Sequence, residues 1–138
     1  MITDRFKAQV RLLLLGLVIL DVILSSLCLF FPQTWFHIFH NAPYIDPQAL
    51  LRRTGAVWAA FTLFQFVALV RWQKQPYWLV LVAGIRLTEV FSDWVYLALC
   101  GSITWFGRVA LFISPLGNAA FAWILIRMWK RIGEGRQM

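Results

Sequence analysis

Charge is scarce in this chain: only 14% of its 138 residues are Asp, Glu, Lys or Arg, and just six of those are acidic. A water-soluble domain carries roughly 25%, so an ordinary globular domain is excluded. Histidine and cysteine occur twice each and no CxxC spacing exists, which leaves too few ligands for a self-contained structural zinc site. The P-loop, GxGxxG, HExxH and GxSxG patterns are all missing. With them go the recognisable nucleotide, metalloprotease and serine-hydrolase chemistries. No internal repeat or low-complexity stretch breaks the chain, and no cofactor is signalled.

What the chain has instead is apolar length. Its residues are 61% hydrophobic, against roughly 45–50% in soluble domains, and the mean hydropathy is +0.70. Four segments, about 12–31, 54–70, 77–100 and 109–128, each approach the roughly 20 residues that span hydrocarbon as a helix. Short connections make consecutive helices antiparallel neighbours. The expected fold is therefore all-α: one integral membrane domain over 1–138, a four-helix up-and-down bundle with an interfacial connection over 32–50. The first segment follows Arg5, Lys7 and Arg11 but is longer than the roughly 7–15 residues of a signal h-region, and it is expected to stay as an anchor.

The net charge of +7 would point to nucleic acid in a soluble protein. Here the cations sort by side. Arg5, Lys7, Arg11, Arg71, Lys74, Arg127, Lys130, Arg131 and Arg136 fall on one side, against Arg52, Arg53 and Arg108 on the other. By the positive-inside rule both termini face the cytoplasm, anionic headgroups are the natural partners, and nucleic acid is not. Trp35, Trp72, Trp78, Trp105 and Trp129 fall near expected interfaces, where amphipathic rings settle. The expected location is a bacterial inner membrane.

The stretch Leu79–Leu99 holds Arg86, Glu89 and Asp93 at i, i+3 and i+7. On a helix these share one stripe, and a charged stripe within the membrane must face other helices, a cavity or a ligand. Asp21 lies nine or ten residues into the first segment and Arg86 at a similar count into the third, on helices running the same way. The pair can neutralise each other across the bundle. Arg86 can also pair with Glu89 one turn away, while Arg52, Arg53 and Arg108 are the outer counter-charges for Asp93. Any carboxylate left without one could relay protons.

Further polar positions follow. Thr54, Trp58, Thr62 and Gln65 form a seam on the second segment, with Gly55-x-x-x-Ala59 as a small-residue contact. Asp46 is placed as an N-cap with Pro47 in the first turn. Ser114-Pro115-Leu116-Gly117-Asn118 sits mid-way along the fourth segment, where proline would kink the helix and Asn118 project inward. The tail is expected to fray after Ile132. His37 and His40, at i, i+3 in the outer connection, are a remote metal or haem option, since no third histidine exists.

Leu51-Arg52-x-x-Gly55 and Gly84-x-Arg86-x-x-Glu89-x-x-x-Asp93 give the chain a resemblance to small bacterial four-helix membrane families of the DoxX-like kind. More distantly, it is similar to the sterol isomerase-like four-helix families. The resemblance implies a four-helix membrane bundle with polar core positions. Relative to the isomerase-like group, this chain has no intramembrane histidine beside its carboxylates. The functional expectation is a non-catalytic membrane protein, an accessory subunit or lipid- or lipophile-binding bundle. Its polar core is Asp21, Gln65, Arg86, Glu89, Asp93 and Asn118, with a protein partner or second copy beside it. The alternative is a proton-coupled carrier, or an enzyme acting on lipids or quinones through Glu89 or Asp93.

Overall fold

The structure, a computed structural model, describes residues 3–137. Among them are five α-helices and no strand: α1 Asp4–Phe30, α2 Pro32–His40, α3 Leu50–Arg71, α4 Tyr77–Leu99 and α5 Trp105–Gln137. Three segments, Asp4–Phe30, Leu50–Arg71 and Trp105–Glu134, are long and apolar enough to cross a membrane. At 23 residues α4 is as long, but every 18-residue window of it contains Arg86, Glu89 and Asp93.

The helices outrun the apolar runs that announce them. Thr3 Oγ accepts from the Phe6 N–H at 3.3 Å and Asp4 takes the Lys7 ammonium at 2.8 Å, so α1 starts at Asp4 rather than near residue 12. The tail expected to fray after Ile132 is helical to Gln137. Side chains beyond Glu134, Arg136 among them, lie outside the described residues. Between α1 and α2 the chain must turn, since Pro32 has no N–H to continue the ladder and forces Phe31 out of helical geometry (φ −128°, ψ 49°).

Asp46 works differently from the expected N-cap. Residues 46–49 form a turn closed by the Ala49 N–H on the Asp46 carbonyl at 3.0 Å, and the N-cap is Ala49, held at φ 55°. From outside the helix the Asp46 carboxylate accepts from the N–H groups of Leu50 and Leu51, both at 2.9 Å, and from the Tyr44 hydroxyl at 2.8 Å. The Leu51 N–H is the main reason this carboxyl is held below its usual range; partial desolvation opposes it, and Leu50, Tyr44 and Arg52 reinforce it.

α1 packs mainly on α3, and α4 on α5. One apolar core joins the two pairs, drawn from Phe6, Val10, Leu14 and Leu17 at the start of α1 and Ala68 and Trp72 at the end of α3. Leu79, Val82 and Ala83 at the start of α4 and Ala122, Leu125 and Ile132 late in α5 complete it. Starts and ends alternate, as helices of alternating direction require. Trp72, placed at an interface by its sequence position, is instead 2% exposed within this core. Further along, Gly55 lets α3 lie against α1, for a Cβ there would meet Cys28 Cβ and Leu29 Cγ at 2.9 Å.

At the other end Thr104 fastens α2 to the start of α5. Its N–H donates to Phe39 O (2.7 Å) and its hydroxyl to Ile38 O (2.8 Å), while the same oxygen accepts from the Gly107 N–H at 3.0 Å. Trp35 stacks on Phe39 at 4.3 Å and meets Trp58 edge-on at 5.5 Å. It too is packed against protein.

A matched pair of glycines tests the α1–α3 contact. Gly55→Ala must push against the Leu29 backbone nitrogen at 3.1 Å and is expected to lower stability by about 1–3 kcal/mol. Gly84→Ala, with open space around it, should gain up to about 1 kcal/mol from helix propensity; unfolding curves in detergent micelles compare the two. A second prediction concerns pH. A carboxyl with a depressed folded pKa stabilises above its unfolded value of about 4 and loses that contribution as pH falls through the lower folded value. Hydrogen-exchange protection of the Leu50 and Leu51 amides, corrected for intrinsic rates, should drop several-fold between pH 5 and pH 3, and Asp46→Asn should abolish the dependence.

Candidate functional site

The buried residues of α1 are Phe6, Val10, Leu14, Leu17, Asp21, Ser25 and Cys28, a run of three- and four-residue steps. Asp21 therefore occupies a core register position, and its charge is committed to the interior by the same periodicity that buries the leucines. The same holds for Gln65 on α3, Arg86 on α4 and Asn118 on α5. Their exposures are 1% for Asp21, 0% for Gln65, 2% for Arg86 and 7% for Asn118.

These four meet. Arg86 Nη2 forms an ion pair with Asp21 Oδ2, and Gln65 Nε2 donates to the same oxygen at 2.6 Å. Arg86 Nη1 reaches Asn118 Oδ1 at 3.4 Å, and Asn118 Nδ2 donates to Ser114 Oγ at 3.2 Å. The chemistry is self-consistent: guanidinium can only donate, so Asn118 must turn its oxygen toward it and its amino group toward serine. A single guanidinium thus ties α4 to α1 and α5, with α3 joined through Gln65. The cluster is not saturated, since Asp21 Oδ1, Gln65 Oε1 and Arg86 Nε are buried and have no hydrogen-bond partner among the described residues.

Glu89 and Asp93 continue the stripe along α4 but stand apart from the ion pair. Glu89 Oε2 accepts from Trp58 Nε1 at 3.0 Å, and Asp93 faces the Ser114 hydroxyl, with its Oδ2 buried and unpartnered. Arg86 spends its charge on Asp21 rather than on Glu89. The outer counter-charges do not reach Asp93: Arg52, Arg53 and Arg108 are exposed, and the ion pairs among the described residues are Arg86–Asp21 and Lys7–Asp4. Arg52 acts on Asp46 and Tyr44 instead.

Several of the expected polar stripes turn inward on their own helices. Ser25 Oγ donates to Val22 O at 3.1 Å, Thr54 Oγ1 to Leu50 O at 3.2 Å and Thr62 Oγ1 to Trp58 O at 2.9 Å. Back-bonding of this kind lets a hydroxyl sit on a greasy helix without any neighbour. Pro115 is buried within α5, which is assigned as one continuous helix through it. Cys28 is buried and Cys100 half-buried, both as free thiols.

The histidines have separate fates. His37 is exposed, beside Asn41 and Tyr44. His40 lies between Tyr96 of α4 and the backbone of the following loop: Nδ1 meets the Ser102 carbonyl and Nε2 the Tyr96 hydroxyl. A carbonyl only accepts, so Nδ1 carries the proton, and in the neutral ring Nε2 accepts from the phenol. No group of three His, Cys, Asp or Glu side chains able to hold a metal ion occurs among the described residues. The His40–Tyr96 link leaves no trace in the sequence because His40 lies in the connection between the long segments, where depth cannot be counted along a spanning helix.

For the ion pair, a double-mutant cycle is decisive. Asp21→Asn and Arg86→Gln should each cost about 3–5 kcal/mol by stranding a buried charge, and the double variant should cost less than the sum of the two. Unfolding in bicelles gives all three numbers. Comparison of the chain with protein-family models, curated proteins and solved structures finds no match.

Proposed function

We propose that this chain is a non-catalytic integral membrane protein whose four long helices form an up-and-down bundle with both termini in the cytoplasm. It acts as an accessory subunit or lipophile-binding bundle, of the kind that its DoxX-like sequence patterns imply, in a bacterial inner membrane. The carrying observation is the meeting of four helices at one buried ion pair: Arg86, the one cation at that depth, is engaged by Asp21 and Asn118, and Gln65 donates to the same carboxylate. A guanidinium whose two terminal nitrogens are both taken up by neighbouring helices ties those helices together. Membrane integration of α4 is supported by the same pair, since an intramembrane charge is tolerated when it is matched inside the protein. Large apolar side chains exposed on every long helix, among them Leu12, Leu63, Phe91 and Phe112, supply surface for lipid or a partner subunit.

A second reading rests on Asp93, whose buried unpartnered oxygen stands one turn from Glu89. In that reading the two carboxyls carry protons for a proton-coupled carrier, or serve as acid and base for an enzyme acting on a lipid or quinone.

Native mass spectrometry of the protein extracted gently from its own membrane separates these. Co-purification with another polypeptide, and loss of that complex in Asp21→Asn, is the expected outcome for an accessory subunit. A lone chain or homo-oligomer carrying a stoichiometric lipophile, released by Glu89→Gln while the fold persists, would move the assignment to the Glu89/Asp93 reading.

A further inference from the structure

The polar centre carries unmet hydrogen-bonding capacity on both of its helix pairs. Asp21 Oδ1 and Gln65 Oε1, on the packed α1–α3 pair, and Arg86 Nε, on the α4–α5 pair, are buried with no hydrogen-bond partner among the described residues. The side chains that carry them are 1%, 0% and 2% exposed, so bulk solvent does not reach them. All three orphans lie around one point. Asp21 Oδ2 accepts from Gln65 Nε2 at 2.6 Å and from Arg86 Nη2, and Oδ1, Oε1 and Nε are the sister atoms of those three, each sharing a carbon with one of them. Turning the amide over brings no relief: a carboxylate only accepts, so Gln65 keeps its amino group on Asp21 and its carbonyl oxygen away from it. Arg86 has likewise settled its other terminal nitrogen on Asn118 Oδ1 at 3.4 Å.

The orphans select the chemistry of an occupant, for they comprise two acceptors, one of them anionic, and one cationic donor. A metal ion or an ammonium serves the two oxygens but offers nothing to an N–H and is repelled by the guanidinium. Chloride takes the N–H but is repelled by both oxygens. Water has two protons and a lone pair to give, and three hydrogen bonds are the usual complement of an interior water. A buried ion pair repays its desolvation only when its remaining lone pairs and protons are also satisfied. We infer that the polar centre is a hydration site, in which one water donates to Asp21 Oδ1 and Gln65 Oε1, accepts from Arg86 Nε and joins the α1–α3 pair to the α4–α5 pair. The contact of Asp21 with Arg86 is then half direct, through Oδ2 and Nη2, and half water-mediated, through Oδ1 and Nε. The site stands under either functional reading above, since it concerns the residues that hold the helices rather than Glu89 and Asp93.

Solution NMR of the full chain in perdeuterated micelles tests the site. A rotating-frame cross-peak between water and the Arg86 Nε–H, opposite in sign to the diagonal, is expected; mere proton exchange gives the same sign as the diagonal. In Gln65→Met, of similar length but without the amide, exchange of the bound water with bulk should quicken about fivefold, the worth of one hydrogen bond. Magnetic relaxation dispersion of the water signal measures that rate. A wild-type spectrum with no such cross-peak, or with a cross-peak from proton exchange alone, would overturn the site. So would an exchange rate left unchanged by Gln65→Met. The wild-type spectrum decides even where the variant does not fold.

Discussion

The ion pair between Arg86 and Asp21 is the constraint on which the rest of the arrangement depends. Arginine stays charged at any pH that proteins meet, so once α4 carries Arg86 into the interior a counter-charge must be brought to the same depth. Asp21 lies there at 1% exposure. Coulomb attraction is strong in such surroundings and so is the cost of desolvation, which is why the pair is accompanied by Gln65 and Asn118. The register of α1 against α4 and the side of α5 that faces inward are tied to that one guanidinium through Asp21 and Asn118.

Beside this polar layer lies an apolar one, and the division of labour is clear. Apolar contacts among Val10, Leu14, Leu79, Val82 and Leu125 fill space at one end, while hydrogen bonds and aromatic stacking around Trp35, Thr104 and His40 close the other. Burial by itself discriminates poorly between helix faces where the surroundings are as apolar as the core. Groups that must be matched one to one are what single out a unique arrangement. The backbone contacts at Gly55 and Gly107 add shape to that list, since a Cβ at either would collide with the facing helix.

Periodicity and composition were enough to read the helical class, the charged stripe of α4 and the meeting of Asp21 with Arg86, because depth along a helix can be counted at about 1.5 Å per residue. Helix ends were less legible. Hydropathy marks where a helix is greasy, while Thr3 and Asp46 show helices starting where a side chain takes the first N–H groups, and α5 runs on past Ile132 through two glycines. Hydroxyl positions misled for a related reason: Thr54 and Thr62 look like a seam between helices, yet a threonine can spend its proton on its own backbone. Partners supplied by loops, such as Ser102 for His40, leave no local trace at all.

Biogenesis is where the composition of α4 has its largest consequence. A nascent chain emerges N-terminus first, and α1 and α3 are apolar enough to leave the insertion machinery unaided. The charges of α4 are each disfavoured by about 2.5–3.5 kcal/mol at mid-membrane on translocon scales. Under the topology proposed above, Asp21 and Gln65 would already be in place on the preceding pair. Insertion of α4 would then be coupled to an earlier, correctly oriented α1, and a chain misthreaded at its first helix would be denied its third long one.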